Sequence, residues 1–355
     1  MTISGFSDKQ LSYTLFIRAI IHSCEQCNMP CQALLRGTGL FDDTLHDKTL
    51  VSASQIIRLL QNTVKLRRQP DTGFIIGHRL AALSHQSHAM FLQHSKNGVQ
   101  WIRAAQILIA DILPLLQVER YNTADGDYFV FSGLSLDRHC SLSATLTDLP
   151  LDTHKLKLDS HYHSLLLEIV FTALTALLKQ WHGKKLELQF LFAGPTPSNL
   201  PDYQTHLGAQ VRFGHGFNAI KVSKKLLHVS GQSPNSAYLL TLIRMTRQHT
   251  RKTMLLPQAV RTMLIADSEI TLSDAAVALN ISAATLKRRL KEFDLNFRQI
   301  SDALRREQAI FILKYSGLNN EQGAMKMAIA DLTNFRRAVK RWTGLTPSQL
   351  RQHHR

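Results

Sequence analysis

The last hundred residues repeat themselves, and that repeat limits the architectures open to the chain. The first copy runs Leu272-Ser-Asp-Ala-Ala276-Val-Ala-Leu279-Asn-Ile281-Ser282-Ala-Ala-Thr-Leu286-Lys-Arg-Arg-Leu290. Its apolar positions Ala276, Leu279, Ile281, Leu286 and Leu290 have the spacing of two short helices joined by a tight turn, and the small side chain of Ala276 lets the two cross closely. Ser282 is placed to cap the second helix. In the second copy, Ala324 to Trp342, Ala324 matches Ala276 and Met327 matches Leu279, while the match of Phe335 to Leu286 needs one extra residue in the turn. Between the copies, 302–315 reads as one strong helical run able to hold the two units in a fixed relation.

With Leu286 and Leu290 turned inward, the outward face of the first copy's second helix carries Ala284, Lys287, Arg288 and Lys291. The same construction on the second copy puts Phe335, Val339 and Trp342 inside and Thr333, Asn334, Arg336, Arg337 and Lys340 outside. A basic outward face on the second helix of such a pair suits DNA reading: arginine can make bidentate contacts to guanine, and Lys291 and Lys340 suit phosphate. The competing view is a merely solvated basic face. Charge weighs against it: the chain has 42 Lys+Arg against 26 Asp+Glu, a formal net charge of +16. From Leu240 to the end the excess is +11, so about a third of the chain holds two thirds of it. The basic footprint belongs to the repeat region and favours a polyanionic partner.

The rest of the chain is organised differently. From Leu11 to about Leu116 apolar positions such as Ile56, Leu59, Leu60, Thr63 and Val64 recur at helical spacing, which predicts a helical layer. Between 117 and 146, Tyr128 and Val130 alternate with Phe129 and Phe131 after Ala124-Asp125-Gly126, as in a hairpin. A long helix is expected from about Tyr162 to Trp181, then strands at 186–192, 210–213 and 219–222 on one small sheet. Ser230-Gly-Gln-Ser-Pro-Asn-Ser236 reads as a domain boundary. The most apolar later run, Leu165 to Leu178, is short for a bilayer and contains Glu168, so a buried helix is expected and no membrane. Arg18 interrupts Leu15 to Ile21 and Asp8 stands where a basic segment belongs, so the start does not read as a signal peptide.

Cys24, Cys27 and Cys31, with His22 nearby, invite a metal or redox reading. Structural zinc sites usually join two distant segments, whereas these four residues lie within ten; reduced structural thiols in a cytoplasm are expected, with no metal and no cofactor. No His-Glu-x-x-His, Gly-x-Ser-x-Gly or phosphate-binding glycine loop occurs, so no catalytic residue is proposed and the chain does not read as an enzyme. The aromatics Phe171, Trp181, Phe190, Phe192 and Phe213 are read as core packing, and no effector-binding residues are assigned.

Ser282-x-x-Thr-Leu-Lys-Arg-Arg-Leu, Arg305-Arg306 with Ala309, and Asn334-Phe335-Arg-Arg-Ala-Val-Lys-Arg-Trp-Thr-Gly344-Leu-Thr-Pro347-Ser-Gln-Leu-Arg351 resemble the paired helix-turn-helix domain of AraC-type transcriptional regulators. The family usually has Gly in the first turn, where this chain has Asn280, and Gly-Phe in the second, where it has Ala328-Ile329. Asn tolerates a left-handed backbone better than Ala, so the first unit is expected to read bases more firmly. Gly77-His-Arg-Leu, Phe190-x-Phe-Ala-Gly-Pro-Thr-Pro, 203–207, Val211-x-Phe213 and Asn218-Ala-Ile resemble the arabinose-binding-type sensor domain of the arginine/ornithine-regulator branch. The resemblance implies a mostly α chain in three parts: a mixed α/β N-terminal ligand-sensing and dimerisation domain over 1–232, a linker helix region over 233–254, and an all-α DNA-binding domain over 255–355. It also implies a transcription activator acting as a homodimer on double-stranded promoter DNA with RNA polymerase, under control of a small-molecule effector. The alternative is a constitutive DNA-binding protein, or a redox- or metal-responsive one using the three cysteines.

Overall fold

A computed structural model describes residues 2–12, 14–41, 49–85, 90–112, 115–133, 153–184, 186–249 and 253–352. Strands β1 (Thr2–Ser4) and β2 (Leu11–Ser12) lead into α1 (Thr14–His22) and α2 (Cys31–Leu35); β3 (Leu50–Val51) returns antiparallel to β2. The helical layer continues with α3 (Ala53–Leu66), α4 (Thr72–His85) and, after a 3-10 turn at Met90–His94, α5 (Gly98–Ile112). The first of these three starts where Ser52 and Gln55 form a capping box. Its buried residues are Ala53, Ile56, Leu59, Leu60 and Thr63, the stripe expected from the spacing.

A hairpin follows, β4 (Leu116–Thr123) and β5 (Gly126–Gly133), turning at Ala124-Asp125 as expected. The long helix α6 (Thr153–His182) starts nine residues before the expected Tyr162, in a polar stretch that carries no apolar periodicity. Then come β6 (Gln189–Leu191), α7 (Leu200–Leu207), β7 (Val211–Arg212), β8 (Asn218–Val222), α8 (Lys224–Leu227), α9 (Ser236–His249) and β9 (Thr253–Leu255). The expected strand at 186–192 is shorter because its pairing with β8 starts only at Gln189, opposite Lys221. Among the described residues five strands make one sheet in the order β4-β5-β8-β6-β7, antiparallel except for the last pair. The 134–146 part of the hairpin expectation lies outside the described residues.

By length and composition α6 could cross a membrane, but it is the core helix of this fold, with Leu165, Ile169, Phe171 and Trp181 fully buried. One side meets α4, where a side chain at Gly77 would run into the Ile169 carbonyl, so close crossing requires glycine there. The other side meets the sheet through Phe171, whose ring lies 5.0 Å from Phe131 and 5.5 Å from Phe190.

The C-terminal part is helical: α10 (Leu256–Ala266), α11 (Leu272–Ala278), α12 (Ala283–Glu292), α13 (Phe297–Ile310), α14 (Asn320–Lys326), α15 (Leu332–Thr343) and α16 (Pro347–Gln352), with one π turn, Phe311–Tyr315, extending α13. It is not a separate bead. The first strand pairs parallel with β9, and Tyr128, Val130, Leu191, Phe217 and Ala219 on the sheet's second face share a core with Phe311, Phe335 and Val339. Both faces of the sheet are therefore covered, one by α6 and one by the C-terminal helices.

Candidate nucleic-acid interface

Two helix pairs stand at the positions of the sequence repeat. In the first, α11 opens on a Thr271/Asp274 capping box, and in the second, α14 opens on an Asn319/Gln322 box. The turns close alike. Asn280 N–H donates to the Val277 carbonyl (2.9 Å) and Ile281 N–H to that of Ala276 (3.0 Å); Ala328 N–H donates to Met325 (3.1 Å) and Ile329 N–H to Ala324 (2.9 Å). Asn280 and Ala328 adopt φ of 54° and 55°, the left-handed backbone at which a glycine is favoured. After Ile329 the second copy has Ala330 before its next helix, which is the one extra residue.

The second helices are set by their caps and by what they bury. Ser282 Oγ accepts from Thr285 N–H (3.1 Å) at the head of α12, and Asp331 Oδ2 accepts from Asn334 N–H (2.7 Å) at the head of α15. Leu286 and Leu290, Phe335 and Val339 are fully buried. That leaves Ala284, Lys287, Arg288 and Lys291 on the first and Thr333, Asn334, Arg336, Arg337 and Lys340 on the second, and all nine are exposed. Arg288 makes an ion pair with Glu292 one turn on, 3.1 Å, that solvent screens. Trp342, expected inside, is half-buried, its indole N–H donating to Asp302 Oδ1 at 3.1 Å.

The units are joined through α13. Arg305 donates to the Met327 carbonyl at the second turn (3.1 Å) and to the Ser268 carbonyl ahead of the first pair (3.0 Å), and it pairs with Glu269. Arg351 closes the far end, donating to the Leu318 carbonyl and Asn320 Oδ1. These two arginines of the sequence motif hold the fold together, while the outward ones are exposed.

Periodicity did not point to a further group of residues. Arg261 of α10, 5% exposed, bonds Glu119 of β4 (2.8 Å) and Glu307 of α13 (2.9 Å), and the Tyr121 hydroxyl donates to Glu307 at 2.9 Å. Beside them Phe311 stacks on Tyr121 (4.2 Å) and meets Tyr128 edge-on (5.2 Å), and the Tyr315 hydroxyl lies 2.8 Å from His215 Nδ1. The signal was the run from Tyr128 to Phe131, apolar on both faces, which demands cover on both sides.

Cys24 and Cys27 are buried and Cys31 half-buried. Burial, with Asp71 adding to it, pushes the Cys27 thiol up to about 11, which leaves little thiolate at neutral pH. Among the described residues no three His, Cys, Asp or Glu side chains stand close enough together to hold a metal ion.

The family description Helix-turn-helix domain matches residues 275–353. These residues form a helix-turn-helix domain. The chain is similar to an uncharacterized HTH-type transcriptional regulator, Rv1395, of Mycobacterium tuberculosis: 34% identity over 92 residues, 25% of this chain and 27% of that one. It is also similar to the ornithine utilization regulator of Pseudomonas aeruginosa, 33% identical over 81 residues, 23% of this chain and 24% of the relative. The match thus spans about a quarter of the length of these curated relatives. The crystal structure of the transcriptional regulator CdpR from Pseudomonas aeruginosa overlays 97% of this chain and 99% of its own, with a TM-score of 0.43 and 19% identity. Over about a quarter of its length the chain thus shares sequence with transcriptional regulators. The matched range, 275–353, takes in the second helix pair, the first pair from Ala275 on, and all nine outward residues.

Proposed function

We propose that the chain is a sequence-specific, DNA-binding transcription regulator of the AraC type. The observation that carries this is the pair of similarly closed helix-turn-helix units whose second helices leave nine residues exposed, six of them Lys or Arg. On one chain, the two second helices would enter successive major grooves about one helical turn, roughly 34 Å, apart. Arg288, Arg336 and Arg337 would read base edges, and Lys291 and Lys340 would hold phosphates. We further propose the division into 1–232, 233–254 and 255–355, a homodimer in the cytoplasm, control by a small molecule bound in the N-terminal region, and activation through RNA polymerase. Resemblance of the N-terminal motifs to a sensor domain supports the effector, and a population shift would link it to DNA.

The test is full-length protein on a promoter-derived duplex, with affinity followed against salt. Six to ten phosphate contacts would lower affinity about 10³- to 10⁵-fold between 50 and 200 mM salt. A flat salt response, or equal affinity for every duplex, would sink the reading.

A further inference from the structure

A cavity of about 390 Å³ opens where the sheet edge meets the helix-turn-helix domain, with walls from Gln117 on β4, Arg261 on α10, Asp302 and Arg306 on α13, and Arg341 and Trp342 on α15. We propose that this cavity is an effector site at the junction, additional to any site within the N-terminal region, and that its ligand is a small organic carboxylate. The proposal rests on the regulator reading for the word effector, and on the cavity itself for the ligand.

Chemistry selects the charge of the occupant. Three arginines, Arg261, Arg306 and Arg341, and one acidic residue, Asp302, line the space. That carboxylate already accepts from the Trp342 indole (3.1 Å) and pairs with Arg298 (3.5 Å). Arg261 is already paired with Glu119 and Glu307, so Arg306 and Arg341 are the lining cations on which an anionic ligand would draw. Guanidinium forks bind carboxylates with good geometry, and a partly enclosed cavity spares such bonds much of the screening they meet on an open surface.

Size and place agree with this. The volume is that of a small-molecule site, and junctions between domains are where such sites gather. A second cavity, between α5, α6 and the sheet, is lined by apolar side chains apart from Gln106 and holds only about 50 Å³. Its walls are the hydrophobic core. The polar cavity instead draws on β4, α10, α13 and α15 at once, so a ligand in it ties the sheet to the element that carries the second recognition helix. Binding there changes the relative stability of arrangements of that helix, which is the differential interaction an effector needs.

The experiment is calorimetric titration of the full chain at fixed ionic strength with acetate, succinate and glutarate, against succinamide and inorganic phosphate. Saturable binding of one carboxylate, tighter than about 1 mM, is expected, with succinamide inert. Arg306→Gln and Arg341→Gln should each weaken it about tenfold. Since Arg341 is exposed, its variant keeps the test valid if Arg306→Gln fails to fold. No saturable carboxylate binding, or binding unchanged in Arg341→Gln, would overturn the proposal. Phosphate binding as tightly as succinate would overturn it too, by assigning the cavity to a nucleic-acid phosphate. Because the titration contains no DNA, its failure leaves the regulator reading to be judged separately by the duplex experiment.

Discussion

Ala328 holds a left-handed turn at φ 55° with a side chain that resists it, while Asn280 holds the equivalent turn at φ 54° more comfortably. Left-handed backbone costs an ordinary residue about 1 to 2 kcal/mol, so Ala328→Gly should stabilise the protein by about 1 kcal/mol, measured by urea unfolding. Asn280→Gly should change it by a few tenths at most, roughly. Equal effects would mean that the turns are not strained differently. This strain was legible from the sequence, because the resemblance set an alanine where a glycine usually stands. Glu168 was not legible as a strained group. It is buried between α4 and α6, its Oε1 accepting from the Tyr203 hydroxyl at 2.5 Å, and burial outweighs that bond and pushes its carboxyl up to about 7. A carboxyl raised in the folded state makes the fold bind a proton more tightly than the unfolded chain does. Stability from this group is therefore full below about pH 4.5 and falls as pH rises to about 7, by about 3 kcal/mol in all. Glu168→Gln should match the wild type near pH 4 and exceed it at pH 8. Parallel pH profiles of unfolding midpoint would refute the assignment.

Each recognition helix depends on one cap, and the caps differ in chemistry: a serine hydroxyl at 282 and a carboxylate at 331. Ser282→Ala and Asp331→Ala should each cost about 1 kcal/mol. Asp331 as a cap was missed because the extra Ala330 shifts it out of register with Ser282. Both helices are thus capped and their turns close alike, so the expected asymmetry in base reading now rests on Ala328 alone. We retain it as a prediction: Arg288→Ala should cost about 1 to 3 kcal/mol of DNA affinity and relax base preference at one element, and Arg337→Ala should cost less. Lys340→Ala should weaken all sequences alike and lessen the salt slope. Base-substitution scanning that finds the second element more selective would end the asymmetry. Elements whose apolar stripes face one core were legible from periodicity, as α3, β5 and α12 show. Pairing limits were not: the shortness of β6 depends on where β8 runs, which lies thirty residues away in the chain.

At the scale of the molecule, one sheet serves two partners, and the second partner was invisible to any reading that treated the C-terminal domain as independent. Tyr121, Tyr128 and Phe217 give the sheet an aromatic outer face that Phe311 and Tyr315 cover. At the rim of that contact a guanidinium and two carboxylates are taken out of water together. Ions so placed are costly to desolvate, and the attraction between them roughly offsets that cost only while the set is complete. Arg261→Met should therefore destabilise the full chain by about 3 kcal/mol, since it leaves buried Glu307 and half-buried Glu119 without this cation. Adding Glu119→Gln and Glu307→Gln to that variant should recover most of the loss, because the two added substitutions remove the two stranded charges. Urea unfolding of wild type, single and triple variants checks this, with circular dichroism and tryptophan fluorescence as two probes. If the triple variant were weaker than Arg261→Met by the sum of the separate losses, the three groups would be independent, and the junction would owe its hold to the aromatic stack alone. If the recovery is seen, the ion set acts mainly to fix which surface of the helix-turn-helix domain meets the sheet. That is the arrangement a ligand at the neighbouring cavity would have to favour or oppose.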